Sequence, residues 1–194
     1  MRYILLQFLI PIYCFASVDI AFVEVRTHDG QLVQLEENGR FAHVAISYKG
    51  KWLHSRPYYG VELITEEKLR KIGELTIVTN TNKNELEESE LHKFLGKPYD
   101  NHFSWGDESY YCSELVAKIL EIEPRPMKYN SSVWSNKYKK SRGQLGISPD
   151  DLFNKITSHS QYYYSLEKNG HLDIQKIFQP SKCHEMINVF IRKE

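Results

Sequence analysis

Cysteine is scarce in this chain, with three in 194 residues, at positions 14, 112 and 183. That excludes a disulfide-stapled scaffold, which needs many paired cysteines. An excess of charge of one sign is also missing, because Lys plus Arg and Asp plus Glu each number 25. No net field draws the protein toward nucleic acid, which is not an expected partner. No apolar run reaches the roughly 20 residues that a bilayer span requires, so no stable membrane span is expected. Glycine-rich phosphate loops, dinucleotide fingerprints, repeats and low-complexity tracts are absent from the sequence. The histidines outside positions 43 and 54 form no helical i, i+4 pair and no paired Cys spacing. Neither a metal site nor a cofactor is expected.

What is present points to a folded domain. Aromatic residues make up 13% of the chain, with thirteen Tyr, too many for a solvating disordered segment. The length suits one domain with a real core. At the N-terminus, Arg2 precedes an apolar run from Tyr3 to Ala16 that contains Pro11 and ends in Cys14-Phe15-Ala16-Ser17. This reads as a signal peptide over residues 1–16 ahead of a single domain over 17–194, in a protein exported to the periplasm or secreted. The rival reading is a first strand or helix of the core. After cleavage, Cys112 and Cys183 remain, and in an oxidising compartment two cysteines can pair. A disulfide between them is the plain alternative to any reactive role.

Val18 to Val25 predicts a strand. Phe41 to Tyr48 alternates, then Lys49-Gly50 and Lys51-Trp52-Leu53-His54 follow, a pattern that predicts a hairpin. Leu75 to Thr79 predicts another strand. Thr65 to Ile72 and Glu85 to Leu95 carry helical spacing, with Glu85, Glu87, Glu88 and Glu90 on a solvated face. From Cys112 the period changes: Cys112, Leu115, Val116, Ile119 and Leu120 share one stripe of a helix that Pro124 and Pro126 stop. Ser109 is the expected cap, with Tyr110, Tyr111 and Cys112 in the first turn. Residues 125 to 148 read as a polar loop, and Ser148-Pro149-Asp150-Asp151 as a helix start before Leu152 to Ile156. The tail alternates weakly.

A cysteine in the first turn of a helix feels the positive end of the helix dipole, which favours thiolate. The free N–H groups there can also hold an oxyanion. Cys112 is therefore a candidate nucleophile, although a lone cysteine is more commonly a small apolar core residue. A nucleophilic thiol needs a base on another element, and His43 sits mid-strand with Val44 and Ile46 facing the other way. If Lys49-Gly50 is a two-residue turn, Ala45 lies opposite His54, and Arg56 opposite His43. His43 and His54 are then diagonal neighbours about 7–8 Å apart, within reach of an imidazole pair. A turn one residue longer would send His54 to the opposite face, and a His on a strand is more often structural than catalytic.

Several of these residues also form a pattern. Gly96-Lys97-Pro98-Tyr99-Asp100, Phe103 and Tyr110-Tyr111-Cys112-Ser113-Glu114-Leu115-Val116 resemble the signature of the bacterial YaeF/YiiX proteins, permuted papain-like amidases of the NlpC superfamily. Val18 to Val23 is similar to that family's opening strand, Phe41 to Ile46 to its histidine strand, and Ser148 to Leu152 to a late motif. The resemblance covers roughly residues 18 to 155. It implies an α+β fold, circularly permuted and papain-like, with a small barrel-like antiparallel sheet packed on helices and the nucleophile at a helix N-terminus. It implies Cys112 as nucleophile, His43 as base and His54 as orienting residue, where the family often has Glu. Tyr111, Tyr99 and Asp100 are then candidates to shape the substrate cleft. The implied activity is hydrolysis of a peptide or isopeptide bond through an acyl-enzyme, with cell-wall peptides as the implied substrate. A lipid-directed acyltransferase or esterase on the same residues, and a non-catalytic envelope binding module, are the alternatives.

Overall fold

The structure is a computed structural model that describes residues 17–80, 83–128 and 143–158, and the backbone of 162–166 and 172–177. The proposed signal peptide and Cys183 lie outside the described residues. Strands β1 (Val18–Glu24), β2 (His43–Tyr48), β3 (Lys51–Arg56) and β4 (Gly60–Ile64) lead into helix α1 (Glu66–Arg70) and strand β5 (Glu74–Asn80). Helices α2 (Glu88–Phe94) and α3 (Cys112–Ile119) follow, then the short strands β6 (Arg125–Pro126) and β7 (Leu145–Gly146), helix α4 (Pro149–Thr157), and strands β8 (Tyr162–Leu166) and β9 (Leu172–Ile177).

The long strands form one antiparallel sheet in the order β4-β3-β2-β1-β5-β8-β9. Its centre is buried on both faces, which is why β1 reads as an almost unbroken apolar run rather than a clean alternation. On one face Ile20, Phe22, Val44, Ile46 and Leu53 pack against Leu91 of α2, Leu115, Val116 and Ile119 of α3, and Leu152 of α4. On the other, Ala21, Val23, Ala45, Trp52 and Ile64 pack against Leu69 of α1. Burying each large aliphatic of α3 contributes about 1.5–3 kcal/mol, so this stripe holds the helix to the sheet. Phe22, Phe41 and Phe153 form an aromatic triangle with centroids 4.9–5.3 Å apart, locking α4 to the start of the sheet.

The Lys49-Gly50 turn has both residues at positive φ, 45° and 73°, as a two-residue turn that matches strand twist demands. It pairs Ile46 with Leu53, Ser47 with Trp52 and Tyr48 with Lys51, the register expected from a two-residue loop. Glu85 fastens the turn by accepting from the Lys49 N–H at 2.8 Å.

The sheet does not close into a barrel: β4 is covered by the chain at Gly96–Lys97, where the Val61 N–H donates to the Lys97 carbonyl and the Gly96 N–H to the Val61 carbonyl, and β8–β9 extend the far side. Two expectations are corrected. Ser109 does not cap α3; the N-cap is Tyr111, extended at φ −89° and ψ 168°, so Cys112 is the first helical residue. Within the expected loop over 125–148, Arg125–Pro126 pairs with Leu145–Gly146. The expected cap at Ser148 is present: its hydroxyl accepts from the Asp151 N–H at 2.9 Å, with Pro149 opening α4.

Candidate active site

Cys112 starts α3 where the helix abuts β2. The thiol is free and 6% exposed. Backbone N–H groups of Val44 and Ser113 donate toward it, so the nucleophile candidate touches the residue after His43. Burial nevertheless pushes the Cys112 thiol up to about 11, outweighing those donors. The helix terminus thus does not by itself make a thiolate in the free protein, contrary to the expectation from position alone.

His43 and His54 meet as the hairpin register requires. His43 Nε2 and His54 Nδ1 are 2.8 Å apart, with the rings nearly perpendicular at 84°. His43 is 8% exposed and His54 fully buried. Burial lowers His43 to about 3, with smaller contributions from His54 and Arg56; burial likewise lowers His54 to about 4, against the pull of Glu62. Both rings are therefore neutral near pH 7. Because Nε2 of His43 is committed to His54, only Nδ1 of His43 is left to take a proton from a thiol.

His43 and Cys112 line one cavity of about 210 Å³. Its other walls include Tyr99, Phe103, Tyr111, Met127 and Ile147. Phe103 lies edge-on to Tyr111 at 5.4 Å and to Tyr99 at 6.4 Å. The Tyr111 hydroxyl accepts from the Ile147 N–H at 3.0 Å, and Gly146 lies so close that a Cβ there would meet that hydroxyl at 2.6 Å. Asp100 does not line the cavity. It is buried, and its carboxylate accepts from the His102 and Ser104 N–H groups and the Ser104 hydroxyl at 2.6–2.7 Å, holding the loop that carries Tyr99 and Phe103.

Sequence reasoning missed several neighbours. Ser55 lines the cavity and donates to the Tyr110 carbonyl at 2.5 Å, tying β3 to the approach to the nucleophile. Glu62 lies directly across from His54 in the β3–β4 pairing. Extending the strand pairing through Pro57-Tyr58-Tyr59-Gly60 as a second turn would have found it. Glu114, fully buried two residues after Cys112, accepts from the Gly106 N–H at 3.0 Å, and burial pushes its carboxyl up to about 8. No sequence signal marks a buried acid on a helix whose next turn carries Lys118.

Among the described residues no group of three or more His, Cys, Asp and Glu is arranged to hold a metal ion, and no helix is long and apolar enough to cross a membrane.

Over 78 residues the chain is 31% identical to the uncharacterized protein YiiX of Escherichia coli K12, a match covering 40% of this chain and 30% of that protein. The chain thus matches less than a third of that relative's length. The crystal structure titled metalloprotein yiiX from Escherichia coli O157:H7 superposes with a TM-score of 0.50 at 21% identity, covering 79% of this chain and 97% of the other, a likeness of fold alone. The model of the permuted papain-like amidase enzymes, YaeF/YiiX, C92 family, matches residues 19–160. That span takes in the strand of His43, the loop of Tyr99 and the helix of Cys112, and the chain belongs to the YaeF/YiiX family of permuted papain-like amidase enzymes.

Proposed function

We propose that this protein is a thiol hydrolase that cleaves an amide bond, peptide or isopeptide, through an acyl-enzyme on Cys112. The single observation that supports the reading best is that His43, held by His54 at 2.8 Å, shares one cavity with the buried free thiol of Cys112. A neutral thiol and a neutral imidazole suit general-base activation. As Sγ attacks the carbonyl carbon, its proton passes to His43 Nδ1, and an S–C bond forms. The free N–H groups of the first turn of α3 face the developing oxyanion. His43 then gives the proton to the leaving amine as the C–N bond breaks. Water, deprotonated by His43, hydrolyses the thioester and restores the thiol. His54 holds the ring of His43 in the tautomer that leaves Nδ1 unprotonated.

Export of the mature chain after residue 16, read from Arg2 and the apolar run behind it, makes cell-wall peptides the first substrates to try. A second reading is favoured by the cavity walls, which are mainly apolar (Leu35, Phe103, Met127 and Ile147 among them): a lipid-directed acyltransferase or esterase on the same residues. Cell-wall peptides, simple amides, and fatty-acyl esters should therefore be assayed side by side with the wild type, Cys112→Ala and His43→Ala. Amide cleavage that falls by about 10²–10⁴-fold in both variants is expected. Ester or lipid turnover without amide turnover supports the second reading, and turnover that survives Cys112→Ala overturns both.

A further inference from the structure

We propose that Glu62, held by Arg56, is the carboxylate that positions His54, so that the site is a relay of four side chains, Cys112, His43, His54 and Glu62, drawn from α3 and strands β2, β3 and β4. The proposal rests on the thiol–imidazole reading above and extends it by one strand.

Tautomers carry the argument. For Nδ1 of His43 to accept the thiol proton, its Nε2 must carry hydrogen and donate to His54 Nδ1 at 2.8 Å. His54 Nδ1 is then the acceptor, and the proton of neutral His54 must sit on Nε2. That nitrogen is buried and makes no hydrogen bond among the described residues. A buried N–H without an acceptor keeps its full desolvation penalty, so the fold favours giving it one. The carboxylate facing it is Glu62, whose Oε1 lies 3.5 Å away. His54 and Glu62 are a directly opposed cross-strand pair, so a small side-chain rotation closes the bond without moving the backbone. Glu62 in turn accepts from Arg56 Nε at 2.6 Å, and Arg56 is braced by the Tyr59 ring, 3.7 Å from its guanidinium carbon to the ring centroid. The carboxylate is thus oriented from behind, as orienting acids in catalytic triads are.

Other charges face His54. His43 approaches from β2, Arg56 from β3 itself, and Lys68 of α1 and Lys71 just after it line a cleft that reaches His54 and does not include Cys112. All of these favour a neutral ring or are neutral themselves, leaving Glu62 as the group that stabilises a positive charge passed to His54. The two partners therefore act with opposite sign on the histidine: Glu62 raises its proton affinity and Arg56 lowers it.

The test uses the full chain with ¹⁵N-labelled histidine and needs no substrate. Imidazole nitrogen shifts give the tautomer and titration of His43 and His54, and mass spectrometry follows iodoacetamide alkylation of Cys112 against pH. Wild type, His43→Ala, Glu62→Gln and Arg56→Gln are compared. The expected result is Nε2–H on both rings in the wild type, a downward move of the His54 titration in Glu62→Gln, and an upward move in Arg56→Gln. Each move should be about one unit, with about a tenfold change in rate where alkylation follows that titration. A merely structural contact would shift both variants the same way or neither. If His43→Ala alkylates like the wild type, the thiol–imidazole reading itself fails. If His43→Ala is slow while Glu62→Gln keeps the wild-type titration and rate, Glu62 has no part in the relay. Glu62 is 31% exposed, so its amide variant is expected to fold; should it not, the Arg56→Gln titration alone decides the sign.

Discussion

Burial sets the protonation of the site's residues, and it acts on acids and bases in opposite directions. His43 and His54 have folded values of about 3 and about 4, below the 6.5 of an exposed ring. The unfolded chain therefore binds more protons than the folded one between those values and 6.5, so the contribution of the two rings to stability is complete above pH 6.5 and is lost as pH falls toward 3. Glu114 works the other way. Its carboxyl is raised from 4.5 to about 8, so the folded protein holds a proton that the unfolded chain releases, and stability falls as pH rises from 4.5 through 8. Denaturant melts of Glu114→Gln should lose that alkaline slope while keeping the acid one. A variant that still loses stability between pH 5 and 8 as the wild type does would show that Glu114 is charged in the fold.

At the scale of elements, one turn decides whether the two histidines meet. Successive strand residues point to opposite faces, so inserting a single glycine between Lys49 and Gly50 should turn His54 away from His43. The expected outcome is a folded protein whose histidine signals titrate near 6.5 and whose Cys112 alkylation no longer depends on His43. Lys49 itself sits at φ 45°, where a lysine is strained and an asparagine is tolerated. Lys49→Asn should therefore stabilise by about 0.5–1 kcal/mol, read as a higher urea midpoint with an unchanged slope. A lower midpoint would mean that the contacts of Lys49 with the Tyr48 ring and Glu88 outweigh the backbone strain.

Across the whole molecule, contacts distant in sequence hold the site together. The Asp150 carboxylate at the start of α4 accepts from the Arg40 and Phe41 N–H groups at 2.7 and 3.2 Å, just before the strand of His43. Asp150→Ala leaves those donors unpaired and should destabilise by about 1–3 kcal/mol, with the loss visible in thermal melts and in weaker His43–His54 coupling. A melt indistinguishable from wild type would show that water replaces the carboxylate. Leu115, fully buried between α3 and the sheet, is the control: Leu115→Ala should cost about 2–5 kcal/mol through the cavity it leaves, without shifting either histidine titration.

Much of this was determined by the sequence alone. The strands around β1 and β2, the apolar helical stripe from Cys112 to Leu120 and the Ser148 cap follow from period and local hydrogen-bonding chemistry, which act over a few residues. Given a two-residue turn at Lys49-Gly50 the register follows from chain geometry, so the meeting of His43 with His54 was legible as one of the two registers open to the hairpin. Tertiary structure alone decided the rest. Tyr111 rather than Ser109 caps α3 because the segment before the helix is extended, its Tyr110 N–H bound to the Pro98 carbonyl. Glu62 reaches His54 only through a second hairpin, and Asp100 turns inward to hold its own loop. The edge of β4 is covered by the chain at Gly96–Lys97, distant from it in sequence. The thiol's high proton affinity depends on how much water the packed elements exclude, and no local pattern of residues encodes that.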